Sequence, residues 1–203
     1  NEKAAREAKQ HTYWTEPNRP YDQALREFVA RSMRDPVFAG SVQRFVKTLT
    51  RAACLNALAQ NLLKLTAPGV PDLYQGTELW DLSLVDPDNR RPVDFDHRQA
   101  LMTSVQAGIT SGPLAGFADE LLRNPGDARL KLFLIHRVLH YRRSHTELFR
   151  QGRYVPVSVS GQGARHVCAF ARVLRHQRTI VVVPRLVLGD RKSTRLNSSH
   201  VSQ

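Results

Sequence analysis

Apolar positions recur at helical spacing through most of the chain and change to a strand-like pattern only near its end. Residues 1–10 are strong helix formers and read as the last part of a helix. His11 to Arg19 is a polar loop carrying Trp14 and Pro17, and Pro20 then suits the first turn of a new helix. Leu25, Phe28 and Val29 form the stripe of that helix, and Asp35-Pro36 ends it and caps the next. From Pro36 to Leu65 the apolar residues Val37, Val42, Phe45, Val46, Leu49, Leu55, Leu58, Leu62 and Leu65 predict two helices, broken near Thr50 to Cys54. Pro68-Gly69 closes the second of them.

A short apolar run follows, giving a strand near 70–75, and Gly76 breaks it into a polar loop that lasts to Phe95. Helix, Pro-Gly, strand and polar loop make one step of an α/β sheet or barrel, where sites are built in the loop leaving the carboxyl end of the strand. Asp96 to Ile109 predicts a helix, Thr110 to Gly116 a turn, and Phe117 to Leu122 a short helix. Asn124 to Asp127 caps an amphipathic helix running to about His145, with Leu130, Phe133, Leu134, Val138 and Tyr141 facing inward. The runs Tyr154–Val159, His166–Leu174 and Thr179–Val183 are β-branched and separated by Gly161, Gly163 and Gln177, as in a small antiparallel sheet. Such a sheet leaves an edge open unless more chain follows. The expected class is therefore α/β plus β: a mostly helical part over 1–147, an antiparallel β domain starting over 148–188, and a tail over 189–203 whose lack of periodicity sets it outside the fold.

Composition changes this picture little. Hydrophobic residues make up 41% and charged residues 24% of the 203, values expected of a globular chain. No apolar run approaches the ~20 residues that span a bilayer. Cys54 and Cys168 lack metal-ligand spacing, which suits two thiols in a reducing cytoplasm. His136 and His140 lie one helical turn apart without a further ligand beside them, so neither a metal nor another cofactor is expected. The net charge of +12 invites a nucleic-acid reading. Its bulk, however, comes from singly scattered arginines between Arg129 and Leu188, where Glu147 is the single acid. An Arg-rich surface accounts for that distribution better than a nucleic-acid groove, and no nucleic-acid or membrane partner is expected.

The chemistry concentrates in the central loop, which holds Asp72, Glu78, Asp81, Asp86, Asp88, Asn89, Arg90, Arg91 and Asp94, with Tyr74 and Trp80 nearby. Carboxylates and amides take hydroxyl hydrogen bonds, arginine bridges two of them, and aromatic faces stack on a pyranose. That mixture suits a sugar. Glycoside chemistry needs two carboxyl groups about 5–10 Å apart, and Glu78 with Asp86 is the candidate pair. The competing reading makes Asp72 and Glu78 structural, holding loop backbone and neighbouring arginines. Trp14, Trp80 and Tyr13 could stack on sugar or simply pack.

Gly69 to Glu78 resembles the eighth barrel strand of the α-amylase superfamily, G-x-P-x-x-Y-x-G-x-E, and Asp86 to Val93 is similar to the D-P-x-x-R-x-P segment of its following loop. Lys3 to Trp14, Leu148 to Val157 and His166 to Arg172 resemble one branch of that superfamily. The resemblance implies the C-terminal part of a (β/α)8 TIM barrel followed by a truncated antiparallel β domain, needing the N-terminal part of the same barrel as its partner. It implies intramolecular transglucosylation, in which the reducing-end α-1,4 linkage of a maltooligosaccharide becomes an α,α-1,1 linkage. The superfamily's catalytic carboxylates lie on barrel strands four, five and seven, so none is carried over and the chain alone is expected to be inactive. This displaces the Glu78/Asp86 pair. Tyr74, Gln75, Glu78, Asp86, Asn89 and Arg90 become the expected substrate-binding residues, Arg90 first because it matches the loop arginine. A hydrolase of the same superfamily and a basic nucleic-acid-binding helical protein are the rival expectations.

Overall fold

The computed structural model describes residues 2–83 and 91–189. The chain divides into two compact units, 1–49 and 50–203.

The first unit contains α1 (Glu2–Ala8), α2 (Arg19–Arg34) and the beginning of α3 (Pro36–Thr66). Asn18 caps α2, its side chain accepting from the Tyr21 amide at 3.2 Å, with Pro20 in the first turn. Asp35 Oδ1 accepts from the Phe38 amide at 2.7 Å and so caps α3 at its proline start. The side chains buried here are polar. Arg6 Nη2 donates to Asp22 Oδ2 at 2.9 Å, and Thr12 Oγ1 accepts from the Asn18 amide at 3.0 Å. The Arg6 guanidinium holds the Asp22 carboxyl below the usual carboxylate range.

The predicted break near Thr50 to Cys54 is absent: α3 is one helix. A helix stops where a Gly, a Pro or a cap interrupts its ladder, and Thr50 to Cys54 contains none of these. Ala52, which is buried, supplies the apolar position that links Leu49 to Leu55.

In the second unit α3 continues, and α4 (Phe95–Thr110), α5 (Leu114–Arg123), α6 (Ala128–Ser144) and α7 (Thr146–Gln151) follow. Strands β1 (Arg153–Pro156), β2 (Val167–Leu174) and β3 (Gln177–Pro184) form an antiparallel sheet in the order β1-β2-β3. The register runs Arg153 opposite Val173 and Leu174 opposite Gln177, so Arg175 and His176 make the β2–β3 turn. One apolar cluster joins Val105 of α4, Phe117 and Leu121 of α5, and Leu130, Leu132 and Phe133 of α6 to Leu79 of the loop. Gly108 permits the close approach of α4 and α5, since a Cβ there would lie 2.3 Å from the Phe117 ring. A second cluster packs Ala59 of α3 on Phe170, Val181 and Val183 of the sheet. Arg172 of β2 is almost wholly enclosed and donates to the Thr66, Phe149 and Gly152 carbonyls, tying the sheet to the last turns of α3 and α7.

The strand expected at 70–75 is not in this sheet. Residues 70–74 run without helix or strand. A strand exists only through its ladder partners, and no described segment pairs with this one. α7, which had no counterpart in the pattern, is a helix of 6 residues, too short for an apolar period to mark it. Residues 190–203 of the expected tail lie outside the described residues.

Candidate functional site

The segment after Pro68-Gly69 is shaped by one turn. The Thr77 amide donates to Tyr74 O at 3.0 Å, and Gly76 stands at φ +91°, the left-handed value that the third position of a type II turn demands. Glu78 and Arg98 then brace this turn from both sides. The Gly76 amide donates to Glu78 Oε2 at 3.0 Å, Arg98 Nη2 donates to Gly76 O at 2.9 Å, and Arg98 Nε donates to Glu78 Oε1. Arg98 Nη1 also reaches Asp94 O at 2.9 Å. Asp94 caps α4 through the His97 amide, which places Arg98 on the first turn of that helix.

A second pair of bonds fixes the next residues to α6. Lys131 Nζ donates to Leu79 O at 3.0 Å, and Trp80 Nε1 donates to Asp127 O at 3.1 Å. Asp127 is the N-cap of α6. Burial pushes the Lys131 ammonium below the usual lysine range; Lys64 adds to this, while Asp81 and Glu78 oppose it. The Asp81 carboxyl lies below its ordinary range because the Ser83 hydroxyl and amide both donate to it.

Between these braces lies a polar cleft of about 240 Å³, lined by Gln75, Gly76, Trp80, Asp81, Ser83, Arg91, Pro92, Val93, Asp94 and Arg98. It offers an amide, carboxylates, guanidinium groups, a hydroxyl and an indole, a set able to hold several hydroxyls of one sugar. A different hollow, of about 290 Å³ among α3, α5, α6 and β3, is walled by Leu55, Leu58, Leu62, Leu122, Phe133 and Val182 and offers a sugar no comparable partners.

Of the expected site residues, Gln75 lines the cleft. Tyr74 begins the turn and is exposed. Glu78 supports the turn from behind, which is the structural role the sequence had left open for it. Asp86, Asn89 and Arg90 lie outside the described residues, and so therefore does the Glu78/Asp86 spacing. Trp80 lines the cleft while its indole nitrogen is engaged by α6. Tyr13 and Trp14 belong to the first unit, where Trp14 donates to Glu7 and lies under Arg6. Arg98 and Lys131 were missed. For Lys131 a signal existed: one charge inside the apolar run Leu130 to Ile135. For Arg98, four residues past the helix cap, nothing in the pattern marked it. Among the described residues no group of three or more His, Cys, Asp or Glu side chains could hold a metal ion, and no helix is long and apolar enough to cross a membrane.

Comparison with known proteins points to one set of relatives. No family model matches the chain. It is 40% identical over 171 residues to a curated Mycobacterium tuberculosis protein provisionally named maltooligosyl trehalose synthase, covering 84% of this chain and 19% of that one. The solved maltooligosyltrehalose synthase of Arthrobacter ramosus matches with a TM-score of 0.76 and 38% identity, over 92% of this chain and 22% of that one. A Sulfolobus tokodaii structure described as a hypothetical maltooligosyl trehalose synthase matches with a TM-score of 0.70 and 28% identity, over 90% of this chain and 22% of that one. The chain thus spans about a fifth of the length of the relatives it matches.

Proposed function

We propose that this chain contributes one wall of the carbohydrate pocket of a maltooligosyl trehalose synthase, an intramolecular glucosylmutase of trehalose biosynthesis. The reaction moves the reducing-end glucosyl unit of a maltooligosaccharide from an α-1,4 to an α,α-1,1 linkage. In this reading residues 70–75 are a strand of a (β/α)8 barrel whose neighbours come from further sequence, and the β1-β2-β3 sheet opens a C-terminal domain. The catalytic carboxylates stand on other barrel strands. Gln75 and Asp81 take sugar hydroxyls, Asp86, Asn89 and Arg90 are assigned further substrate contacts on the motif alone, and Glu78 with Arg98 keeps the wall in shape.

The polar cleft carries this reading, because it is built from the segment that has the superfamily motif. A nucleic-acid role draws less support from the charges. Arg142 and Arg172 direct their guanidinium groups at the backbone carbonyls of Leu65, Gly69, Thr66 and Phe149, and Arg129 is paired with Asp127. Those charges are not displayed as a groove for phosphates.

The test uses the longer synthase that contains this stretch, with maltopentaose as substrate. Gln75→Ala and Asp81→Asn are expected to lower kcat/KM for the trehalose-ended product about tenfold or more, the value of one hydrogen bond to a charged or buried partner. Unchanged kcat/KM in both variants would remove the cleft from the pocket. The 203-residue chain alone is expected to give no product.

A further inference from the structure

We infer that Lys131 is a positioning residue for this pocket: from α6 it grips the Leu79 carbonyl and thereby sets where Trp80 and Asp81 stand in the cleft wall. The inference rests on the pocket reading above and names a residue that lies outside the cleft.

Lys131 sits in the apolar stripe of α6 with 9% of its surface exposed, between Leu130 and Leu132, which both enter the core. A buried ammonium is costly, and a methionine would fill the same space without that cost. What the lysine supplies is a donor. Leu79 is the loop residue that enters the helical core, so its carbonyl is carried in with it, and Lys131 Nζ meets that carbonyl at 3.0 Å. One residue later Trp80 Nε1 donates to Asp127 O, four positions before Lys131 on the same helix. Residues 79 and 80 are therefore fastened at two points to the first turn of α6, and Asp81 follows at once. The ammonium also lies 5.9 Å from the Trp80 ring, facing it as a cation faces an aromatic. The charged groups around it are Lys64 from α3 and Asp81 and Glu78 from the loop. None of this requires Lys131 to touch substrate.

Two measurements decide it. The first needs no activity. Trp14 and Trp80 are the chain's 2 tryptophans, so W14F leaves Trp80 as the reporter. Its emission is expected to titrate with a midpoint below the ~10.4 of a free lysine, to lose that step in K131M, and to show none below pH 10.5 in K131R. Identical profiles in all three chains would overturn the contact. The second uses the longer synthase. K131M is expected to lower kcat/KM on maltopentaose about 10²-fold, chiefly in kcat, as for an ångström-scale misplacement of a pocket wall. K131R, which keeps a donor, should restore most of it. If Q75A impairs the enzyme while K131M stays within twofold of the parent, the pocket stands and the positioning role fails. If the Trp80 profile depends on Lys131 but neither Q75A nor K131M changes catalysis, the pocket reading fails, and the role assigned to Lys131 fails with it.

Discussion

The two units solve burial in opposite ways. Among the described residues of 1–49 the buried ones are Thr12 and Asp22, both polar, while Phe28, Met33, Val37, Phe45 and Val46 face outward. Within the second unit Leu65, Val105, Leu121 and Phe170 are enclosed, and two apolar clusters tie helices to helices and helix to sheet. The first unit is thus held by an ion pair and caps, and the second by hydrophobic packing. Non-directional apolar burial is the larger contribution to stability, so the unit that bears the cleft is the one with its own core. The apolar faces of α2 and early α3 are laid out for packing that 1–49 does not supply to itself.

The contrast can be broken by substitution. Leu121→Ala, at a fully enclosed site, is expected to cost about 2–5 kcal/mol in urea unfolding. Phe45→Ala, at an outward-facing site, should stay within about 0.5 kcal/mol. Equal losses would mean that the units do not differ as described. Gly108→Ala tests the packing of the second unit at one point. The added methyl meets the Phe117 ring and should cost about 1–3 kcal/mol, whereas Gly116→Ala, with open space around it, should cost nothing of the kind. Gly76→Ala bears on the cleft alone. Its φ of +91° and Val93 at 3.4 Å predict a smaller loss, about 1–2 kcal/mol, read by unfolding, together with a distorted Trp80 emission.

Acid gives the gentlest discrimination. The Asp22 carboxyl has a folded value below its unfolded one, so its stabilisation is present above the unfolded value of about 3.9 and is lost as pH falls through and below it. Asp127 is displaced the same way by Arg129, and Asp81 by the Ser83 hydroxyl and amide, but the apolar clusters of the second unit have no such pH dependence. On acidification from pH 6 to pH 2, the emission of Trp14 in a Trp80→Phe chain should change at higher pH than that of Trp80 in a Trp14→Phe chain. Coincident transitions would show one cooperative body in which the ion pair has no special part.

Where local pattern decides structure, the sequence was readable. α6 begins at the expected cap Asp127, and α2 and α4 begin within a residue of their expected starts, where Asn18 and Asp94 cap by a local hydrogen bond. The β2–β3 hairpin follows from two β-branched runs a short turn apart. What escaped needed information from elsewhere. α3 was split because Ala52 is too small to register as an apolar anchor, although it is buried. The run 70–75 has strand composition, but pairing is a property of neighbours. In the site, the turn at Gly76 was legible, because a glycine that breaks the apolar run suits the left-handed position, and Gln75 beside it lines the cleft. The work of Arg98 and Lys131 was not, because the groups they brace, Gly76, Glu78 and Leu79, lie 20 to 52 residues away in sequence. Glu78 was open between sugar contact, catalysis and a structural role, and in the structure its two oxygens accept from the Gly76 amide and from Arg98.

The most direct test is a structure of the proposed longer enzyme with a maltooligosaccharide bound. Glycosyl hydroxyls are expected within hydrogen-bonding reach of the Gln75 and Asp81 side chains, with Glu78 still joined to Arg98 and Lys131 still on the Leu79 carbonyl. A sugar seated where no residue between Gln75 and Arg98 touches it would rule out the cleft as a pocket wall.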